Sequence, residues 1–193
     1  MSSVKLKAPL GGSVTLSSVD TATDYTLTVP AANATVITTA SSANITQSML
    51  GTNVTGNGPS FRASKNSGQA ITTSTWTKIQ FNVEDWDTNS NYDNATNYRF
   101  TPTVAGYYQV DLAIEFNNVS GSYIAAIYKN GSVYIFSAFY AGSTIGSHPN
   151  VHGLIYMNGS TDYIEGYAYT TTASQALYNG SATYFNASMV RAA

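Results

Sequence analysis

The chain contains no cysteine. Disulfides and thiolate metal sites are therefore excluded, and stability outside a cell has to come from another source, with oligomerisation the obvious one. Charge is nearly as scarce: eight Lys and Arg against ten Asp and Glu give a formal net charge of −2 in 193 residues. No basic field exists to hold nucleic acid or an anionic membrane, so neither is expected as a partner. No apolar run reaches the roughly 18 residues of a membrane-spanning helix. The stretch from Met1 to Pro9 carries Lys5 and Lys7 but no apolar block, so it does not read as a signal peptide.

Polarity comes instead from Ser, Thr, Asn and 15 Tyr. Abundant β-branched and aromatic residues favour strands over helices. Two textures meet near Asn57, Gly58 and Pro59. Up to that point Tyr25 is the only aromatic residue. Val14 and Leu16, then Tyr25, Leu27 and Val29, alternate with polar residues as short strands do. Val36 and Ile37 suggest a third strand. Ile45 to Leu50, closed by Gly51, suggests one helical turn with Thr46 as N-cap. Residues 1–58 hold too little apolar material for a core in one copy. They are read as an arm, either disordered or gaining burial from neighbouring chains or a docking surface.

Residues 59–193 carry regular strand signals at 60–65, 76–82, 98–101, 106–116, 122–129, 133–139, 151–157, 162–170 and 183–191. Asn130-Gly131, Asn158-Gly159 and Asn179-Gly180 are placed as turns, because both residues of Asn-Gly accept the positive φ of a tight hairpin. Many short strands without a helical period predict a β-sandwich. Gly106 marks a strand entry that needs either positive φ or close backbone approach.

Phe100, Gly106 and Tyr108, followed by Tyr128-Lys129-Asn130-Gly131, resemble the core motif of the C1q-like domain, a jelly roll of the C1q and tumour necrosis factor superfamily. Phe61 and Trp76 to Phe81 fit the family's first strands, Tyr92 and Asp93 the central signature, Gly153 to Gly159 a later strand, and Phe185 to Val190 the closing one. The match covers about the whole of 59–193. It departs at Asn97 and Tyr98, where a Gly is usual, at Ala105, where Pro commonly precedes the Gly, and by one extra residue between Tyr92 and Phe100. The resemblance implies an all-β jelly roll assembling as a homotrimer that binds and assembles and is not an enzyme. The arm is similar to segments near the N-termini of tailed-phage fibre and virion proteins, on Gly11 to Leu16, Thr26 to Ala31, Thr35-Val36 and Ile45 to Gly51.

Several groups invite chemistry. Asp85, Asp87, Asn89, Asn91 and Asp93 place an oxygen at every second position, and Ca²⁺ needs six to eight oxygens, so they form a candidate calcium loop. The competing reading is a solvated Asx-turn loop. Ser90 and Thr96 depart from the EF-hand pattern, where Gly and Glu belong. His148 and His152 lack the third ligand zinc requires and read as surface or interface residues. Asp111 and Glu115 are the carboxylates a polysaccharide depolymerase would use. They are also the outward positions of a strand whose inward set is Val110, Leu112, Ile114 and Phe116. Tyr134, Phe136, Tyr163, Tyr167 and Tyr169 suit core or subunit interface. Tyr140 and Tyr178, read as loop residues, are candidate receptor contacts.

These readings converge on a virion-surface protein made in a host cytoplasm. It is expected to be a short surface fibre or capsid decoration protein whose residues 1–58 dock on other virion proteins. The alternative is a receptor-binding knob for host surface glycans.

Overall fold

The computed structural model describes residues 58–117, 121–142 and 148–193, together with the backbone of 3–7 and 13–17. The chain falls into two compact units, Met1–Met49 and Leu50–Ala193. In the first, β1 (Ser3–Lys7) and β2 (Ser13–Ser17) pair antiparallel, with Val4 opposite Leu16 and Leu6 opposite Val14. The sequence suggests the second of these strands and not the first. The expected elements at Tyr25–Val29, Val36–Ile37 and Ile45–Leu50 lie outside the described residues.

The second unit is a sandwich of two antiparallel sheets. One runs β12-β9-β15-β3-β6, with β3 (Ser60–Ser64), β6 (Val83–Asp87), β9 (Ala105–Ala113), β12 (Asn150–Asn158) and β15 (Tyr184–Ala192). The other runs β11-β10-β13-β8-β7, with β7 (Tyr92–Asp93), β8 (Arg99–Phe100), β10 (Gly121–Lys129), β11 (Ser132–Ala141) and β13 (Ile164–Thr170). The short β5 (Thr77–Lys78) pairs with β13, and β4 (Gln69–Ile71) pairs with β14 (Gln175–Leu177).

Period-2 alternation supplies the core. Tyr108, Val110 and Leu112 of β9 point inward, and Ile114 and Phe116 continue the inward set beyond its end, all at most 1% exposed. Tyr123, Ala125 and Ile127 of β10 face them from the opposite sheet. Phe61 of β3 stacks on Tyr92 and Phe100 at 4.6 and 4.5 Å and meets Phe185 edge-on. Gly106 has no positive φ. Close approach is its reason: a Cβ there would lie 2.4 Å from the carbonyl oxygen of Arg191.

The three Asn-Gly pairs do not share one role. Asn130 and Gly131 take φ of 52° and 79° and close a two-residue hairpin between Lys129 and Ser132. The Asn158-Gly159 turn instead carries the chain from β12 in one sheet to β13 in the other, and Asn179-Gly180 leads from β14 to β15. A left-handed residue reverses the chain in either setting, so local chemistry cannot say whether the next strand pairs with the last. Residues 76–82, expected as one strand, contain only β5; the chain then turns to form β6 in the opposite sheet. Repeated passage from sheet to sheet is the Greek-key wiring of a jelly roll.

Candidate binding surfaces

The stretch from Asp85 to Asp93 begins in edge strand β6 and runs through a loop into β7. Its carboxylates serve separate donors. Asp85 accepts from Arg62 Nε at 3.0 Å and from the Ser64 hydroxyl at 3.1 Å. Asp87 accepts from the backbone N–H groups of Asn89 and Tyr92, at 3.2 and 2.6 Å. Asp93 accepts from the N–H groups of Thr96, Ala95 and Asn97 and from the Asn97 side chain. Those bonds, led by the ones from Thr96 and Ala95, hold its carboxyl down to about 2. Asn89 accepts from Thr88, while Asn91 donates to the Asn89 carbonyl and accepts from Thr103. Ser90, at the position an EF-hand gives to Gly, itself takes φ +53°. The loop is thus built as a series of Asx turns. Among the described residues, no three His, Asp or Glu side chains converge as metal ligands would.

Register brings together what lies far apart in sequence. His152 of β12 sits opposite Asp111 of β9, and Asn186 of β15 sits opposite Asp111 on its other side. A groove of about 240 Å³ opens there, lined by Asp111, Asn150, His152 and Tyr184 together with Leu112, Ala113 and Val151. Arg62 lies over the Tyr184 ring at 4.3 Å. His148 is separate: its Nε2 is 3.9 Å from Glu115. Glu115 lies past the end of β9, four residues from Asp111. Sequence reasoning reached Asp111 and His152 singly but missed Asn150, Tyr184 and Asn186 as their neighbours. Only the outward period-2 positions hinted at them.

Among the described residues, Tyr140 is the most exposed large apolar side chain, at 74%. It belongs to edge strand β11 and not to a loop, because β11 extends to Ala141. Tyr178 follows β14 in a loop tied by its N–H to the Glu115 carbonyl, and its ring is exposed. Val133, Tyr134, Phe136 and Phe139 of β11 are also exposed, as are Leu154 and Tyr156 of β12. Gly153 of β12 approaches Ile135 of β11, so the two sheet edges meet along this side. Tyr107 joins the patch by packing on Tyr156 at 5.5 Å. On the outer face of the sheet that contains β11, Trp76 meets the rings of Tyr128 and Tyr169, and Tyr128 stacks on Tyr167 at 3.8 Å.

The second unit is similar to the globular domain of zebrafish complement 1qA (TM-score 0.55, 12% identity, 71% of this chain and 100% of that one). It is similar also to murine APRIL (0.57, 9%, 69% and 100%). The fold is a C1q/TNF-like jelly roll. PRD1 vertex protein P5 shares this jelly-roll likeness as well (0.50, 17%, 69% and 96%). No protein-family model matches the sequence, and no curated protein does. Phe100 and Tyr108, which carry the family resemblance, are both fully buried between the sheets of this jelly roll.

Proposed function

We propose that the chain is a non-enzymatic virion structural protein of a tailed bacteriophage: a short surface fibre or capsid decoration protein, homotrimeric through residues 59–193 and anchored by residues 1–58. The observation that carries the assembly is the edge made by β11 and β12. A ten-residue edge strand normally carries charge or Pro to block pairing, yet Ser132–Ala141 has neither. Instead it exposes Tyr134, Phe136, Phe139 and Tyr140, and the edge strand β12 of the other sheet exposes Leu154 and Tyr156. Apolar side chains concentrated along an edge mark an interface, and closed symmetry lets identical chains cover it in turn. The likeness to the PRD1 vertex protein supports the virion reading, as does the arm's resemblance to phage fibre segments.

A second reading is a receptor-binding knob adsorbing to host envelope glycans, favoured by the exposure of Tyr140 and Tyr178. Light scattering tests the assembly: three copies of a 20.5 kDa chain should give about 61 kDa. Gold-labelled antibody against residues 59–193 on intact particles tests the rest. Label on the capsid shell supports decoration, label at the tail supports receptor binding, and unlabelled particles overturn the virion reading.

A further inference from the structure

We infer that the groove between β9, β12 and β15 binds one neutral sugar ring, or a polyol of similar size, through Asp111, Asn150, His152 and Tyr184. The inference deepens the receptor-binding reading and rests on it for its ligand class.

The site is concave and its lining mixes acceptor, donor and ring. Asp111 is half-buried and offers a carboxylate able to accept several hydroxyl hydrogens. Its own side-chain partner is Gln109 Nε2, at the outer limit of 3.5 Å. Its cross-strand neighbours, His152 and Asn186, bring an imidazole and an amide. Tyr184 forms a wall, held in place by Arg62 over its ring. An aromatic wall beside convergent hydrogen-bonding groups is what a polyhydroxylated ring with apolar C–H faces requires.

Size and charge narrow the class. A volume of about 240 Å³ falls below the ~300–1,000 Å³ of pockets for drug-sized ligands and leaves room for one ring. The negative charge of Asp111 disfavours phosphate, sulfate and acidic sugars, and the nearby Arg62 is paired with Asp85. A bound metal ion is disfavoured too, because Asp111 and His152 supply two ligands where zinc takes three or four from protein.

The test is saturation-transfer NMR on the full chain with glucose, galactose, N-acetylglucosamine and rhamnose. So few contacts imply a Kd on the order of 1 mM. Asp111→Asn and His152→Ala, both at the surface, should each weaken the bound sugar at least about tenfold with Tm and oligomeric state unchanged. Binding that survives both variants but is lost in Tyr140→Ala or Tyr178→Ala overturns the groove and leaves the receptor reading standing. No transfer from any of the four sugars, with capture by an array of bacterial polysaccharides, does the same. A blank array as well overturns both.

Discussion

Phe61 and Phe100 stack at 4.5 Å with ring planes 21° apart, one from each sheet of the sandwich. Neither ring is exposed to solvent. Their contact couples β3 to the short β8, whose ladder is only two residues long on each side. Phe100 therefore holds its strand by packing more than by backbone pairing. Phe100→Ala should cost about 3–5 kcal/mol, the usual range for emptying a buried aromatic site, read by chemical denaturation of the assembled protein. A cost under about 1 kcal/mol would show that the site collapses and that the two sheets do not depend on this ring.

Lys65 is a buried cation, 4% exposed, whose Nζ donates to Gln69 Oε1 and the Gln80 carbonyl and, among the described residues, meets no carboxylate. Burial pushes its pKa down from 10.5 to about 8. Between those values the unfolded chain binds the proton that the folded chain has released, so stability should rise with pH from about 8 toward 10, by at most about 3 kcal/mol. Tyrosines oppose it at higher pH. Burial raises Tyr108 to about 12, and burial with the nearby Glu165 carboxylate raises Tyr167 to about 12. The unfolded chain loses those protons first, so stability should fall again above pH 10. Lys65→Met should abolish the rising limb, and a rise that persists in that variant would place its origin elsewhere.

Asn130 Nδ2 donates to Asp162 Oδ1 at 2.7 Å, and Asn130 Oδ1 accepts from the Tyr163 N–H. Asp162 also accepts from Lys129 at 2.9 Å and from the Asn158 N–H. Two Asn-Gly turns that are distant in sequence are thereby tied into one corner. Asp162→Ala should cost about 1–3 kcal/mol by leaving these donors unpaired. Asn158→Ala should remove the acceptor of the Ser160, Thr161 and Asp162 N–H groups. Its cost should be less than additive with that of Asp162→Ala, because the two share a network.

Calcium should leave Tm unchanged, because the Asp85, Asp87 and Asp93 carboxylates already accept from side-chain and backbone donors. Heat on titrating Ca²⁺ into EDTA-treated protein, with a raised Tm, would instead establish the calcium reading. Asp93→Ala should by contrast destabilise by about 1–3 kcal/mol at neutral pH. The wild-type contribution of Asp93 should be lost as pH falls from about 4 toward 2, since its folded pKa is the lower one.

Deleting residues 1–57 should leave a soluble trimer that no longer incorporates into particles. A monomeric or insoluble product would assign trimerisation to the arm. Phe136→Asp in the full chain should lower the mass seen by light scattering toward that of one chain, because a desolvated charge at a packed edge is costly.

Much of the sandwich was legible because a strand repeats every two residues. The alternation of Tyr108, Val110 and Leu112 with Gln109 and Asp111 states which side chains go inward, whatever the partner strand. The hairpin at Asn130-Gly131 was legible for the same local reason, since positive φ at two successive residues favours few other sequences. The strands missed at 69–71, 83–87, 92–93 and 175–177 are short or polar. Their pairing is supplied by neighbours such as β3 and β8 rather than by their own composition. Tyr140 was misplaced in a loop because an exposed aromatic row reads alike in a loop and on an unpartnered edge.

The sequence alone settled the class of the fold, its inward residues and its poverty in charge, all of which follow from composition and a two-residue period. Tertiary structure decided which strands became neighbours. It set Asp111 between His152 and Asn186, carried two of three Asn-Gly turns between sheets, and gave Asp85 to side-chain donors and Asp87 and Asp93 chiefly to backbone ones. The reason is physical: strand pairing is chosen by the long-range fit of two sheet faces over a shared core, and no local window of sequence contains that information.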